Sequence, residues 1–211
     1  MAVYVVGVSG ASGAPYARRL LQVLLEGGHQ VKLVVTESGE RVLAIEMGLR
    51  LEGPLDERAE QWRSFLGRPA GDPGLELFHP RDMAASISSG SFPTSGMVVI
   101  PCSMGTLARI AAGVSSSLVE RAADVTLKER RPLVLVPREA PLSEVHLENM
   151  LRLRRAGVDI LPAAPGFYHH PRTIDDLVDF IVARVLDRLR VENQLFRRWT
   201  GDMAEEPMEE Q

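Results

Sequence analysis

Residues Val3 to Ala14 read VYVVGVSGASGA, in which six residues of mainly strand-forming type run into a loop of Gly, Ser and Ala. Pro15 then opens an apolar-periodic helix, so the stretch predicts a strand that ends in glycines at a helix N-terminus. Backbone N–H groups and the helix dipole favour an anion at such a junction. The spacing Gly7, Gly10 and Gly13 is neither G-x-G-x-x-G nor the P-loop pattern. Two interpretations stay open, a loop that binds a nucleotide or phosphate and a tight turn of small residues.

The composition is that of an ordinary globular protein of 211 residues, with 45% apolar and 25% charged residues. A formal net charge of −4 gives no reason to expect a nucleic acid or an anionic membrane as a partner. No run approaches the ~20 apolar residues that span a bilayer, and a strand follows the first residues directly. We therefore expect no signal peptide and a cytoplasmic location. The single cysteine, Cys102, excludes a disulfide within the chain and a metal site built from several cysteines.

Alternating strand and helix patterns follow the opening stretch and predict the fold class. The β-α-β-α order indicates an α/β protein with a doubly wound, mostly parallel sheet, a Rossmann-like three-layer sandwich. We expect residues 1–200 to form one domain and the acidic residues 201–211 to form a disordered tail. The predicted strands are Val3–Val8, Val31–Thr36, Leu75–Phe78, Met97–Pro101, Leu133–Val136 and Val158–Leu161. The predicted helices include Pro15–Glu26, Glu37–Met47, Asp56–Phe65, Ser115–Arg130, one from Ser143 to Arg155 and a long one capped by Thr173.

A second junction of the opening kind follows the strand Met97–Pro101, where Cys102 to Thr106 (CSMGT) lead the chain into a helix. The Ser- and Gly-rich segment 85–96 (ASISSGSFPTSG) is either a flexible loop or a second ligand-contacting loop. In the opening loop, the hydroxyls of Ser9 and Ser12 are candidates to hold a phosphate or a polar ring edge.

Glu46 is a carboxylate at an unexpected position, within the apolar face of the second predicted helix beside Leu43. Desolvation would raise the pKa of an unpaired carboxylate there, which suits a proton-handling group. The alternative is a helix register that leaves Glu46 in solvent. Further along, Ser143 can cap a helix, but we expect no full capping box because His146 stands where Glu or Gln is required.

Several cations occupy positions that a bound anion would explain. Arg121 and Lys128 are seven residues apart, so they share one helix face about 10 Å apart and could bracket a phosphate. Arg138 and Glu139 directly follow a strand, where open α/β sheets bind ligands. Arg184 borders the apolar stripe of the long helix and needs an anionic partner there. The alternative for these cations is an ordinary solvated surface, with the Arg184 stem covering apolar neighbours.

Tyr168 stands in the loop before that long helix, where its hydroxyl could reach an anion bound by Arg184. The adjacent pair His169-His170 is interpreted as part of the loop and not as a metal site, because no third ligand accompanies it.

Five segments of the chain resemble the flavin prenyltransferases of the UbiX type, within the homo-oligomeric flavin-containing Cys decarboxylase-like proteins. The likeness covers about residues 1–200, and its most specific part is RAADVTLKERRPLVLVPRE (121–139). The segments are GVSGASGAPYARRLL (7–21), DMAASISSGSF (82–92), PCSMGTL (101–107), ERAADVTLKERRPLVLVPREAPL (120–142) and PGFYHHP (165–171).

The resemblance implies an activity, a cofactor and partners. The family joins the dimethylallyl group of dimethylallyl phosphate to N5 and C6 of reduced FMN, and the prenylated FMN then serves UbiD-type decarboxylases. The family also implies a large homo-oligomer, a homododecamer, with the flavin near subunit interfaces. It implies no metal, because the substrate is a monophosphate and requires no aspartate motif that holds Mg²⁺.

The resemblance also implies roles for individual residues. The implied FMN contacts are Gly10, Ala11, Ser12, Thr36, Ser103, Met104, Gly105, Thr106 and Arg138. The implied anchors of dimethylallyl phosphate are Arg121, Lys128, Tyr168 and Arg184. The implied catalytic residues are Glu139 as the acid/base residue, Ser12 and Glu46 in proton transfer at the flavin, and Lys128. Trp199 is a candidate wall for the dimethylallyl group, and Gly105 stands where some family members have Lys.

Three other functions would each explain part of this sequence. A flavin-dependent decarboxylase of the phosphopantothenoylcysteine type uses an Asn-containing loop and a His base, whereas this chain has SISSGSF and PCSMGT. A non-catalytic FMN-binding carrier explains the glycine loop but not the cations grouped for a second phosphate. A Rossmann dehydrogenase is disfavoured by the glycine spacing. The sequence therefore predicts a flavin prenyltransferase.

Overall fold

A computed structural model describes residues 1–201, and the predicted acidic tail lies outside the described residues except for Gly201. Its strands form one sheet in the order β3-β2-β1-β4-β5-β6, and every neighbouring pair is parallel. The strands are β1 (Val3–Val8), β2 (Gln30–Val35), β3 (Leu75–Phe78), β4 (Gly96–Cys102), β5 (Leu133–Pro137) and β6 (Asp159–Ile160). The helices are α1 (Ala14–Glu26), α2 (Glu37–Met47), α3 (Leu55–Phe65), α4 (Met104–Ala112), α5 (Leu118–Lys128), α6 (Glu144–Arg155) and α7 (Ile174–Leu189).

The strand order places a topological switch point between β1 and β4. The chain leaves β1 toward β2 and β3 on one side, then returns to add β4, β5 and β6 on the other side. In the register of the sheet, Val6 lies opposite Leu33 of β2 and Val98 of β4. The carboxyl ends of β1 and β4 are therefore adjacent, and the loops that follow them diverge to form a crevice.

Apolar side chains cover both faces of the sheet, which confirms the predicted three-layer α/β class. On one face Val6 and Val8 of β1 pack with residues of α1, α2, α3 and α7. On the other face Val5 of β1 packs with residues of α4, α5 and α6. We call these the α1/α7 layer and the α4/α6 layer. Within residues 1–201, no helix combines the length and apolarity required to cross a membrane.

Two details at helix starts differ from the sequence predictions. The fifth helix begins at Leu118 and not at Ser115, because the hydroxyls of Ser116 and Ser117 donate to the Glu120 carboxylate at the helix start. The expectation of no full capping box at Ser143 is wrong. The Ser143 Oγ accepts from the N–H of residue 146, and the Nδ1 of that histidine accepts from the Ser143 N–H at 3.2 Å. A histidine ring nitrogen thus replaces the usual carboxylate or amide oxygen.

Candidate active site

Ser9 joins the carboxyl ends of β1 and β4 at the switch point. Its hydroxyl donates to the Pro101 carbonyl at 3.0 Å and accepts from the Ser103 N–H at 2.8 Å. Ser9 is only 1% exposed, so the expectation that its hydroxyl binds a ligand is wrong. We call the space between loops 9–13 and 102–106 the switch-point crevice, the place where open α/β sheets bind ligands.

The N-terminus of α1 is capped by Glu46 from the last turn of α2. The Glu46 Oε2 accepts hydrogen bonds from the Gly13 and Ala14 N–H groups at 2.9 and 2.8 Å. The side chain of the exposed Ser12 also hydrogen-bonds to this carboxylate. Of the two interpretations of this junction, the contact favours a turn satisfied within the chain at Gly13 and Ala14, since the chain's own carboxylate binds two N–H groups of the helix end.

Of the two registers that the sequence left open for Glu46, the structure shows the one that places it in solvent. The residue is exposed at the rim of the switch-point crevice. Desolvation raises its pKa, but the hydrogen bonds from Ser12, Gly13 and Ala14 and the charge of Arg138 hold the pKa below its ordinary value. Glu46 is therefore ionised at neutral pH and acts as a hydrogen-bond acceptor.

The glycines of the opening loop are required by the packing and the backbone of the chain itself. A Cβ on Gly10 would lie 2.4 Å from the Cβ of Ser38, because the first turn of α2 packs against the loop. Gly13 has a φ of +129°, a conformation that L side chains rarely adopt. The Ala11 side chain is buried, so the predicted contacts of Gly10 and Ala11 with FMN would use backbone groups.

Thr36 directly follows β2 and begins α2 at the same edge of the sheet as the switch-point crevice. Its Oγ1 accepts from the Gly39 N–H at 3.0 Å, the expected bond of a threonine N-cap. A Cβ on Gly39 would lie 2.7 Å from the Val8 carbonyl oxygen, so this first turn rests on the end of β1. The contact places Thr36 and the opening loop side by side.

The second wall of the crevice is the first turn of α4. The Ser103 Oγ caps this helix by accepting from the Thr106 N–H, and it donates to the Thr106 Oγ1 at 3.1 Å. The side chains of Met104 and Thr106 are buried, whereas Ser103 is half-buried and Gly105 is exposed. Among these four predicted FMN contacts, the side chain of Ser103 is accessible to a ligand, whereas Met104 could contact one only through its backbone.

Arg138 and Glu139 follow β5 directly and are both exposed at the carboxyl edge. Because β5 lies next to β4, this pair extends the crevice on the side of the α4 loop. The charge of Arg138 acts on Glu46, which connects the end of β5 electrostatically to the start of α1. The structure thus brings Ser12, Glu46, Arg138 and Glu139 to one edge of the sheet.

Arg121 and Lys128 lie elsewhere, on α5 in the α4/α6 layer. The Arg121 guanidinium donates to the Ser88 carbonyl at 3.1 Å and to the Asp124 carboxylate at 2.9 Å. Lys128 pairs with Glu129, and its Nζ lies 2.6 Å from the position of a Cβ on Gly90. Both cations therefore contact or approach the Ser- and Gly-rich loop, which was predicted as a possible ligand-contacting loop.

The position of Lys128 separates it from the switch-point crevice. Lys128 ends α5 shortly before β5 begins, at the amino edge of the sheet. The loop that it approaches continues to Ser95, whose N–H donates to the Val3 carbonyl at the start of β1. Strands of this length hold the amino and carboxyl edges about 20 Å apart, since each residue adds about 3.3 Å. Within a single chain, Lys128 therefore lies too far from the switch-point crevice to reach it.

Tyr168, Arg184 and Trp199 form a third group on the side of the α1/α7 layer. The Tyr168 ring packs edge-to-face on Phe180 of α7 and on Trp199, with centroids 5.8 and 5.7 Å apart. Arg184 lies one turn beyond Phe180 and lines a surface depression of about 320 Å³ with it and with residues of β6. Trp199 is exposed, as a wall completed by another molecule would be.

Asp187 is a partner of this group that the sequence reasoning missed. Its carboxylate accepts from Arg184 at 3.1 Å, from Asn193 at 3.2 Å and from Arg198 at 3.0 and 2.8 Å. The hydrogen bond from Arg198 is the main cause that holds the pKa of Asp187 below its ordinary value. The three-residue spacing of Arg184 and Asp187 on a helix was the available signal. Arg184 is exposed, as in the alternative of a surface arginine, and Asp187 is an anionic partner for it.

This fold and this crevice are those of a flavin-binding α/β protein. A family model described as Flavoprotein matches residues 2–186, so the chain belongs to the flavoprotein family. Within that family it belongs to the UbiX flavin prenyltransferases. It is 49% identical over 197 residues to the flavin prenyltransferase UbiX of Halalkalibacterium halodurans, with 93% of each chain covered.

Two solved structures support the same assignment. A UbiX protein crystallised in complex with FMN and dimethylallyl pyrophosphate superposes with a TM-score of 0.82 at 40% identity, covering 95% of this chain and 98% of that chain. A protein described as a dodecameric FMN-dependent UbiX-like decarboxylase from Escherichia coli O157:H7 also gives a TM-score of 0.82. That protein is 46% identical, and the match covers 94% of this chain and 100% of the other.

Proposed function

We propose that this chain joins the dimethylallyl group of dimethylallyl phosphate to N5 and C6 of reduced FMN. The observation that carries the proposal is the switch-point crevice, where Ser12, Glu46 and Arg138 interact beside the Ser103 loop. Membership of the UbiX flavin prenyltransferases supports the same reaction. The prenylated FMN is passed to a UbiD-type decarboxylase, and the reaction takes place in the cytoplasm, a reducing compartment.

The donor groups at the crevice suit FMN. The Arg138 guanidinium matches the phosphate, which it can bind with two parallel hydrogen bonds. Hydroxyls of Ser12, Thr36 and Ser103 and exposed backbone at Gly105 suit the polar edge of the ring and the ribityl chain. Reduced FMN, when bound, supplies the nucleophilic ring positions of the reaction. The protein binds and orients it, and excludes water from the reacting atoms.

Ser12 and Glu46 are proposed to control protons at the crevice. Because Glu46 is ionised and bonded to Ser12, it fixes the orientation of the Ser12 hydroxyl. The Ser12 hydroxyl can then relay a proton from a group bound in the crevice to the Glu46 carboxylate, which accepts it. Glu139, exposed at the end of β5, is the proposed acceptor of the ring proton that must be lost at C6.

Arg121, Lys128, Tyr168 and Arg184 are proposed to hold the phosphate that leaves the dimethylallyl group. Negative charge grows on this phosphate as the allylic C–O bond breaks, and fixed cations stabilise it. Residues 1–201 contain no cluster of three or more His, Cys, Asp or Glu side chains able to hold a metal ion. The cations that the chain supplies for this charge in the proposal are Arg121, Lys128 and Arg184.

We further propose that each site is completed by more than one copy of the chain. Arg121 and Lys128 lie in the α4/α6 layer, whereas Tyr168 and Arg184 lie on the side of the α1/α7 layer. A homododecamer, the assembly stated for the related Escherichia coli protein, can bring α5 of one copy to the crevice of another.

An anaerobic assay tests the proposed reaction. The protein is incubated with FMN, dithionite and dimethylallyl phosphate, and the extracted flavin is analysed by mass spectrometry. We expect a gain of one C5 unit, lost in Glu139→Gln and retained in the control Glu144→Gln, an exposed carboxylate in the first turn of α6. Unchanged FMN that stays bound would contradict the proposal. Release of CO₂ from an added carboxylic acid would then favour a decarboxylase.

Co-expression of two inactive variants tests the shared site. Lys128→Ala and Arg184→Ala should each abolish transfer. If one site takes these residues from two copies, random mixed assemblies restore both cations in about a quarter of the sites. Absence of any recovered activity in mixed assemblies, verified by differently tagged chains, would show that the two residues serve a site within one copy.

A further inference from the structure

The Arg109 guanidinium lies over the first turn of α4 at the switch-point crevice, although its own position is in the last turn of that helix. One of its terminal nitrogens is 3.5 Å from the position of a Cβ on Gly105. The other donates to the Thr106 Oγ1 at 3.2 Å. The side chain thus reaches back toward the helix N-terminus, the direction in which helical side chains point.

Glu120 holds the guanidinium in this place. The Arg109 Nε donates to the Glu120 Oε1 at 2.7 Å, and Ser117 donates to the other carboxylate oxygen at 2.5 Å. The Glu120 side chain is 1% exposed, whereas that of Arg109 is 41% exposed. A buried carboxylate needs such partners, so the pair is strongly fixed on the buried side. The terminal nitrogens remain on the side of the crevice.

We propose that Arg109 is an FMN-binding residue that supplies positive charge to an anionic group of the bound flavin. The inference rests on the proposed function, since it assumes that FMN occupies the switch-point crevice. A guanidinium beside the N-terminal turn of a helix adds to the positive potential of the helix dipole, and a bound anion relieves both. The anionic group is either the FMN phosphate or the reduced ring.

The space around Gly105 explains how Arg109, one turn further along α4, can supply the cation. Apart from the adjacent residues and the backbone of α4 itself, the Arg109 nitrogen is the one heavy atom of residues 1–201 within 4 Å of a Cβ at Gly105, so the space beside this exposed glycine is otherwise open. A lysine placed at position 105 would direct its ammonium group into the same space. In this chain Arg109 fills that space from one turn further along.

Titration of FMN fluorescence tests the inference through a dissociation constant, independently of turnover. Arg109→Ala would leave Glu120 buried without its cation, so the main variant is the double substitution Arg109→Ala/Glu120→Gln. We expect its Kd for FMN to rise about tenfold, the loss of one charge-assisted hydrogen bond. Adding Gly105→Lys should restore most of the affinity. Arg155→Ala, an exposed arginine at the end of α6, is the matched control and should bind as the wild type does.

Further titrations identify which anionic group of the flavin Arg109 binds. If the effect of the double variant disappears with riboflavin, the partner is the phosphate. If it persists with riboflavin and grows for the reduced flavin, the partner is the ring. A folded double variant with wild-type affinity for FMN, riboflavin and reduced FMN would overturn the inference while leaving the proposed function standing. Failure of the wild type itself to bind FMN would overturn both.

Discussion

Glu46→Gln separates the structural role of this carboxylate from its proposed role in proton transfer. The wild-type side chain caps α1 through the Gly13 and Ala14 N–H groups at 2.9 and 2.8 Å. Glutamine retains one acceptor oxygen but loses the charge at the helix N-terminus, which costs about 1 kcal/mol at an exposed position. For a domain of this size, 1 kcal/mol lowers Tm by about 2–4 °C, which is the shift that we expect at pH 7.

The pH dependence of this difference follows from the lowered pKa of Glu46. Its folded-state pKa is below the ordinary value of 4.5, chiefly because hydrogen bonds from Ser12, Gly13 and Ala14 outweigh desolvation. The carboxylate therefore contributes stability fully above about pH 4.5 and loses it as the pH falls through the folded-state pKa. The Tm difference between wild type and Glu46→Gln should be constant from pH 7 to pH 5.5 and shrink at lower pH.

Calorimetry at a fixed protein concentration measures this difference, because assembly makes Tm depend on concentration. Glu148→Gln, an exposed carboxylate on α6, is the control and should not shift Tm. Hydrogen exchange gives a local readout, since the Gly13 and Ala14 amides should exchange faster in the variant. An unchanged Tm with unchanged exchange at these two amides would refute the capping argument, as would a Tm difference that is the same at pH 7 and pH 4.

Three further predictions concern groups that the fold buries or crowds. Ser9→Ala removes a buried bridge between two loops and should cost about 1–3 kcal/mol, measured by urea unfolding. The Cys102 thiol, whose pKa burial raises to about 12, should not react with iodoacetamide at pH 8 until the protein is denatured. Gly10→Ala places a Cβ 2.4 Å from that of Ser38 and should destabilise by about 1–3 kcal/mol, whereas Gly105→Ala should not lower Tm.

Local patterns were sufficient to predict most of the fold. The apolar run Val3–Val8 and the stop at Gly48 follow from strand burial and helix capping, which depend on residues a few positions apart. The start of α5 was misplaced because serines before Leu118 bind the Glu120 carboxylate instead of continuing the helix. That preference is also local, but it competes with helix propensity.

The candidate site depended on contacts that sequence patterns do not show. Ser9 and Pro101 are 92 residues apart, and Glu46 meets Gly13 across 33 residues. Neither pairing has a periodic signature, so from the sequence Ser9 is a candidate for ligand binding and the helix end can be either a ligand site or a tight turn. The family resemblance points to residues such as Lys128 as a group, but it contains no information about the layer of the fold in which each one lies.

Each proposed phosphate-binding cation already has an acidic neighbour within the chain. Arg121 pairs with Asp124, Lys128 with Glu129, and Arg184 with Asp187. The pairs of Arg121 and Lys128 are largely exposed and contribute about 0–1 kcal/mol, so a phosphate can displace them at little cost while the side chains remain oriented. The same cations gain far more from an anion once water is excluded.

Because these cations occupy different layers of one chain, contact between copies is what would bring them together and remove water. If the phosphate displaces the acidic neighbours and lies between cations of two copies, substrate binding would also strengthen the contact between those copies. In the proposed reaction the acidic neighbours would pair with the cations again as the phosphate leaves, so the product would be held less tightly than the transition state.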